Sequence, residues 1–303
     1  MTRAIGFFAY GGPEVLTEIE VDVPDPGEGQ VLVHVYAAGV NPVDCKIRGG
    51  LFAGESDTFP QRLGNEFAGT VLAVGRGVDT VDVGQEVLGF TVMDAYAEQI
   101  VVDANNITTK PEGLGFAEAG SLSAVGQTAY NALRELQVGR GDTVLIHAAA
   151  GGVGTVAVQL AVRAGATVIG TARQDNHEYL RELGASPVVY GDGLVDQVRA
   201  LAPQGVDAAL DLIGGRSIAD SVQLIADRDR IGTTVDADAV ETYGIRRVRG
   251  ARSTELLAEL AELAAKNELR LTVSKSVPLA QAEEAHREVE TGHVRGKVAL
   301  MIN

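Results

Sequence analysis

The sequence predicts an α/β protein in two parts, a small barrel-like all-β domain followed by a doubly wound parallel sheet. Three observations predict this. The first 120 residues alternate short apolar runs with Gly- and Pro-rich turns. From about Gly115, strand-like runs alternate with helix-like ones. At residues 144–172 an apolar strand enters a glycine turn, continues into a small-residue helix and ends in a second apolar strand.

The elements follow in order. Pro24-Asp25-Pro26-Gly27-Glu28-Gly29 is turn punctuation. Gln30–Ala37 then alternates, with Val31, Val33, Val35 and Ala37 facing one way and Leu32, His34 and Tyr36 the other. Phe67–Val74, Glu86–Phe90 and Tyr96–Val102 read as further strands. Phe116–Leu122 and Gln127–Leu136 have helical periodicity. Strands follow at 143–147, 167–171, 187–190, 206–212 and about 230–235, with a helix at Val153–Ala164. A helix at Thr254–Lys266 carries Leu256, Leu257, Leu260, Leu263 and Ala264 on one face. Leu271–Val277 and Gly296–Ile302 read as strands flanking a helix at Ala280–Glu290, so the tail returns to the character of the first domain. The expected division is 1–120 with 270–303, and 121–269.

At 303 residues, 46% hydrophobic and 22% charged, the composition is that of a globular protein with ample core. With 25 Lys and Arg against 41 Asp and Glu, the net charge of −16 opposes phosphate backbones and anionic headgroups. Nucleic acid and membrane partners are not expected. Cys45 is the one cysteine, so no intrachain disulfide and no multi-cysteine zinc cluster is possible. The opening Met1–Tyr10 stretch meets Gly11-Gly12-Pro13 too soon for a signal peptide, and a cytoplasmic location is expected.

The turn Ala148-Ala149-Ala150-Gly151-Gly152-Val153-Gly154 places backbone N–H groups where a dinucleotide pyrophosphate would approach a helix N-terminus. Ala150, Gly151, Gly152, Val153 and Gly154 are therefore candidate cofactor-binding residues. A buried strand–turn–helix corner also needs glycine, but here both flanking strands and the helix are present. The second strand ends at Ala172 and Arg173 rather than at an acidic residue that would accept ribose hydroxyls. A guanidinium there pairs with a 2′-phosphate, so NADPH is the expected cofactor. Arg173 as a solvated loop residue, with Asp175 nearby, is the competing reading. Tyr190, closing the third strand, is a candidate for packing near the adenine or an ordinary strand-end tyrosine.

Several ordered motifs now carry a resemblance. They are Gly39–Gly50 (GVNPVDCKIRGG), Gly64–Val71 (GNEFAGTV), Thr128–Leu133, His147–Gly154, Val206–Asp211 and Gly292–Val298. With these the chain resembles the zinc-free quinone reductase branch of the medium-chain dehydrogenase/reductase superfamily. The resemblance implies a GroES-like β-barrel catalytic domain, a Rossmann domain inserted before its last strands, and a homodimer. It places Thr128 near the nicotinamide ribose. Zinc-dependent relatives bind metal at the positions that match Asn41, Asn65 and Ala124, where carboxamides and a methyl group cannot replace thiolate and imidazole. No metal site is expected.

Without a Lewis acid, the acceptors expected are quinones and α,β-unsaturated carbonyl compounds, in which charge delocalises onto oxygen. Asn41 is the candidate polar group beside the nicotinamide, with Asn41-Pro42 as a plain turn the rival reading. Asp44, Lys46 and Arg48 are candidates to orient it or shape the substrate mouth. An Asp44–Arg48 ion pair and a Lys46–Asp44 salt bridge are equally open. Cys45 reads as a small buried hydrophobe, Glu66 as structural, and His147 as a hydrogen-bonded strand-end histidine.

Two departures qualify the resemblance. Lys46 and Phe52 stand where quinone reductases of this branch often carry tyrosines, and the Asn-Pro-Val-Asp-x-Lys form is similar to enone and alkenal reductases. Asp227–Gly232 lacks the Gly-Gly-Arg usual in that loop. The expected function is an NADPH-dependent, metal-independent reductase of quinones or enones. An enoyl-thioester reductase and a non-catalytic NADPH-binding sensor or structural protein are the alternatives.

Overall fold

The computed structural model describes residues 1–54 and 56–303. The chain forms two units, Met1–Ala124 with Arg252–Asn303, and Val125–Ala251.

In the first unit β1 (Thr2–Phe7) pairs antiparallel with β2 (Thr17–Val21). Next comes β3 (Gln30–Val40), whose alternation buries Val31, Val33 and Val35 and leaves Leu32, His34 and Tyr36 partly exposed, as the sequence pattern predicts. Pro42 then opens α1 (Pro42–Arg48), since its fixed φ and missing N–H suit the first helical position. β4 (Gln61–Arg62), β5 (Glu66–Val74), β6 (Glu86–Phe90), β7 (Gln99–Asp103) and β8 (Ile107–Thr109) follow. The stretch beginning at Tyr96 enters the ladder only at Gln99, because Tyr96 itself is buried in a turn that bonds back to Leu63. Short α2 (Phe116–Ala119) stops at Gly120, whose carbonyl accepts the Gly39 N–H. α3 (Ser123–Glu135) carries the chain onward.

The second unit runs β9 (Thr143–Ile146), α4 (Gly152–Arg163), β10 (Thr167–Thr171), α5 (His177–Glu182), β11 (Ala185–Val188), α6 (Leu194–Leu201), β12 (Ala208–Asp211), α7 (Arg216–Leu224), β13 (Ile231–Thr233), α8 (Ala237–Tyr243) and β14 (Arg246–Arg247). Its sheet is parallel, ordered β11-β10-β9-β12-β13-β14. The chain winds outward from β9 to β11, then returns to β12 and winds the other way. Such a sheet has its topological switch point between β9 and β12, where ligands bind off the strands' carboxyl ends. Leu145, Ile169, Ala209 and Ile231 from four strands pack with Val198 and Ile218 in its core.

The return to the first unit falls at Arg252, not near 270, because α9 (Thr254–Ala265) packs on β8 with Leu257, Leu260 and Ala261 buried. Ser253 starts that helix by accepting the Leu256 N–H at 3.1 Å. β15 (Val273–Pro278), α10 (Ala282–Glu290) and β16 (Lys297–Met301) complete the chain, and β16 docks antiparallel on β3. The larger sheet of this unit is therefore β15-β16-β3-β5-β6-β8, with β7 on β3. Among the described residues no helix is long and apolar enough to cross a membrane.

Candidate active site

In the first unit the register of β16, β3 and β5 brings three distant residues together. Val298 opposes Val40 and Phe67 opposes Ala38, so Lys297, Asn41 and Glu66 meet at one end of the ladder. Gly39 makes room for this meeting, because a Cβ there would lie 2.4 Å from Glu66 Oε1. Lys297 is 3% exposed and donates to Asn41 Oδ1 at 2.5 Å, Glu66 Oε1 at 2.9 Å and the Val40 carbonyl at 3.0 Å. Those three bonds use every N–H of the ammonium. Glu66, 0% exposed, also accepts from Asn41 Nδ2 at 2.8 Å and from the Ala124 N–H at 2.7 Å. Asn41 Nδ2 reaches the Gly39 carbonyl as well, at 3.3 Å. The Asn41 carboxamide is thus fully engaged within the protein, and an acceptor would have to displace one of these partners to touch it.

Asp44 stands at the third position of α1 and curls back to accept the Asn41 N–H at 2.8 Å. It further accepts from Tyr96 Oη at 3.0 Å and from Asn65 Nδ2 at 3.2 Å. Burial pushes its carboxyl up to about 6, against the pull of the Asn41 N–H and the Lys297 charge. Burial first, then the Asp44 charge, raises the Tyr96 phenol well above its ordinary value.

This inward turn of Asp44 corrects two expected pairings. Arg48 pairs with Glu290 rather than Asp44, and donates to the Gly11 carbonyl at 3.1 Å and His286 Nδ1 at 3.2 Å. Burial, then the Arg48 charge, lowers the His286 imidazole to about 3. Lys46 is exposed and forms no salt bridge with Asp44. Cys45 is buried, and burial pushes its thiol up to about 12.

Arg252 joins this cluster from the return crossing. Nη1 donates to the Asn65 carbonyl and Nη2 to Asn65 Oδ1, both at 2.6 Å, and the guanidinium lies 5.7 Å from the Phe90 ring centroid. Burial lowers its pKa.

A catalytic zinc does not fit this donor set. Asn41, Asn65 and Ala124 do gather around Asp44 and Glu66, as their matched positions imply. They bring two carboxamides and a backbone N–H, and an ammonium already holds Asn41 Oδ1 and Glu66. Among the described residues no three of His, Cys, Asp and Glu group as metal ligands.

In the second unit the turn after β9 is tied to β10. Thr171 Oγ1 accepts the Ala148 N–H at 3.1 Å, and the Ala149 N–H donates to the Thr171 carbonyl at 3.0 Å. Gly151 caps α4 without a side chain, leaving the first N–H groups of a 12-residue helix free of side-chain acceptors. A Cβ on Gly154 would lie 2.5 Å from the Ala148 carbonyl oxygen, so the helix approaches the turn that closely only with glycine there. Ala150 and Gly151–Gly154 thus form an uncapped, tightly folded helix start, which fits a pyrophosphate.

Arg173 follows β10, is exposed, and pairs with no described residue. Tyr190 is half exposed and lies beyond β11, which ends at Val188 rather than at Tyr190. Thr128 is part-buried on α3. At the switch point, Ser221 donates to the Ser217 carbonyl and therefore accepts from His147 Nε2, 2.8 Å away. Burial lowers the His147 imidazole to about 4, partly offset by the Asp211 charge. Asp211 ends β12 and accepts from Ser217 Oγ and Thr233 Oγ1, both at 2.6 Å, and from the Gly214 N–H at 3.0 Å.

Sequence reasoning missed Tyr96 and Arg252 and passed over Lys297, which stood inside a quoted motif. A signal for Arg252 exists: four arginines within residues 246–252 of a chain with net charge −16.

Comparisons with known proteins agree with this architecture. An alcohol dehydrogenase GroES-like domain matches residues 27–125, and a zinc-binding dehydrogenase domain matches residues 183–300. The structure of a quinone oxidoreductase from Coxiella burnetii is similar over 100% of this chain and 99% of its own, at 35% identity and a TM-score of 0.90. A quinone oxidoreductase from Escherichia coli complexed with NADPH covers 99% of both chains at 27% identity and a TM-score of 0.88. The pikromycin polyketide synthase component PikAII of Streptomyces venezuelae is 33% identical over 93% of this chain, which spans 8% of that protein.

Proposed function

From a chain that belongs to the quinone oxidoreductase branch of the medium-chain dehydrogenase/reductase superfamily, we propose an NADPH-dependent, metal-independent reductase of quinones or α,β-unsaturated carbonyl compounds. The observation that carries the cofactor half is the uncapped start of α4, followed by the exposed Arg173 after β10, which pairs with none of the described residues. Backbone N–H groups of Ala150 and Gly152–Gly154 would take the pyrophosphate and Arg173 the 2′-phosphate, with Gly151, whose N–H is held by the Ala148 carbonyl, shaping the turn beneath it. Tyr190 and Thr128 are assigned to the adenine side and the nicotinamide ribose. The relative from Escherichia coli complexed with NADPH supports this choice. When bound, the reduced nicotinamide supplies a hydride.

The first unit supplies the acceptor half. Asn41, Glu66 and Lys297 form a closed set of bonds that fixes the start of α1 and the first residues of β5. Asp44 holds the Asn65 carboxamide. Lys46, exposed on α1, is the candidate residue to shape the substrate mouth. A homodimer belongs to the same reading. A second reading, reduction of an enoyl thioester, draws on the 33% identity to PikAII across nine-tenths of this chain.

The test is an initial-rate panel with NADPH against quinones, enones, enals and enoyl thioesters. Quinones or simple enones should give the highest kcat/KM. A preference for thioesters selects the second reading. NADPH binding with no oxidation by any acceptor selects a non-catalytic role.

A further inference from the structure

A hydride delivered to a conjugated acceptor leaves an anion on its carbonyl oxygen, and that anion needs a hydrogen-bond donor. In the Asn41–Asp44–Glu66 cluster the donors are almost all spent. Lys297 uses its three N–H groups on protein oxygens, Asn41 uses both amide hydrogens, and Tyr96 gives its hydroxyl proton to Asp44. Asp44 and Glu66 are acceptors, already served.

Arg252 differs. Two of its five N–H donors hold Asn65, and Nε has no partner among the described residues. The grip of Asn65 on both terminal nitrogens fixes the plane of the guanidinium, and the Phe90 ring packs near it. Asn65 is held in turn by Asp44. The result is a preorganised cation with unspent donors beside carboxamides at the positions matched to metal ligands.

We propose that Arg252 is the oxyanion-binding residue of this site, donating to the carbonyl oxygen of the acceptor as charge develops there. This rests on the reductase reading above. In the step, hydride from the reduced nicotinamide adds to the β-carbon of an enone. The C=C π pair shifts to form the enolate, and the charge comes to rest on the oxygen facing Arg252. A solvent proton then adds to the α-carbon, leaving saturated ketone and oxidised nicotinamide. For a quinone the enolate oxygen takes the solvent proton, the hydrogen added at the ring carbon then leaves as a proton, and the second carbonyl oxygen takes up a proton, so that quinone, hydride and one net proton give the aromatic quinol. Arg252 stays protonated throughout, because a guanidinium does not titrate in this range.

The test uses p-nitrophenol, a planar probe whose ionised form is read by its absorbance, titrated with NADP⁺-saturated protein. Wild type should bind phenolate over phenol, lowering the probe's apparent pKa by about one unit or more, which is a tenfold or greater preference. Arg252→Met should abolish this preference and lower kcat/KM for enones and quinones by about 100-fold, the usual loss on removing one oxyanion donor. Its KM for NADPH should stay unchanged. Arg252→Lys, which keeps the charge without the fork that grips Asn65, should fall between. Wild type with no phenolate preference, or Arg252→Met with the preference intact, overturns the proposal. If no acceptor is reduced by wild type, the reductase reading fails on that result, while the probe still decides whether Arg252 binds an oxyanion.

Discussion

Lys297→Met offers the sharpest test of how the first unit is held together. The side chain is 3% exposed and its partner Glu66 is 0% exposed. Methionine fills most of the volume but removes three hydrogen bonds of 2.5–3.0 Å. Glu66 keeps only the Asn41 carboxamide and the Ala124 N–H, so a carboxylate stays buried without its countercharge. Breaking a buried pair from one side costs about 3–5 kcal/mol. For a protein of this size that lowers the melting temperature by about 5–8 °C. The Lys297→Met/Glu66→Gln double variant removes both charges and should recover at least half of the loss, because the cost lies mainly in the orphaned carboxylate. Calorimetry or urea unfolding of wild type, both single variants and the double variant closes the cycle. A Lys297→Met protein within 1 kcal/mol of wild type, to the ~0.5 kcal/mol resolution of such cycles, refutes the reasoning. So does a double variant as unstable as the sum of the singles.

Arg173→Ala should raise KM for NADPH by about tenfold or more, the value of a charge-assisted bond to phosphate, and leave KM for NADH nearly unchanged. An unchanged NADPH/NADH ratio removes the 2′-phosphate assignment. Gly154→Val should abolish NADPH-dependent thermal stabilisation, because its Cβ would enter the Ala148 carbonyl; retained cofactor stabilisation contradicts this. Stability should fall on acidification from pH 6.5 to 4. His147 and His286 are neutral in the fold, at about 4 and about 3 against an ordinary 6.5, so the unfolded chain binds their protons first. Asp44, raised from 3.8 to about 6, works in the opposite sense, contributing most below pH 4 and losing that contribution as pH rises to 6. Each histidine loses about 3 kcal/mol over this window and Asp44 returns about 3, a net loss of about 3 kcal/mol. His286→Gln should flatten the profile in urea melts across that range, and an unchanged slope speaks against a neutral buried His286.

The regular elements were readable from the sequence because their periods are strong. Alternation in β3, the βαβ unit from β9 to β10, and the extent of α9 appear where the pattern puts them. The buried face of α9, however, is Leu257, Leu260 and Ala261, with Leu256, Leu263 and Ala264 only partly buried. Boundaries drifted where tertiary contacts override local pattern, as at Tyr96, which is buried in a turn, and at Tyr190, which lies past the end of its strand. The glycine turn and Arg173 were visible as a local motif. The cluster in the first unit was not, because Asn41, Glu66, Tyr96, Arg252 and Lys297 are joined only by sheet register and by the return of the chain. Asp44 was singled out for its charge, whereas the Asn41-Pro42-Val43-Asp44 spacing is itself a capping-box pattern that turns the carboxylate back toward Asn41; its bond to Asn65 depends on the fold.

The proposed reaction is the transfer of a hydride from a reduced nicotinamide to the carbon of a conjugated acceptor. The direct measurement is isotope transfer from NADPH deuterated at either face of C4, with an enone as acceptor in ordinary water. One of the two labelled cofactors should deliver deuterium to the β-carbon, with hydrogen from solvent at the α-carbon. Saturated product without deuterium from either labelled cofactor would contradict it.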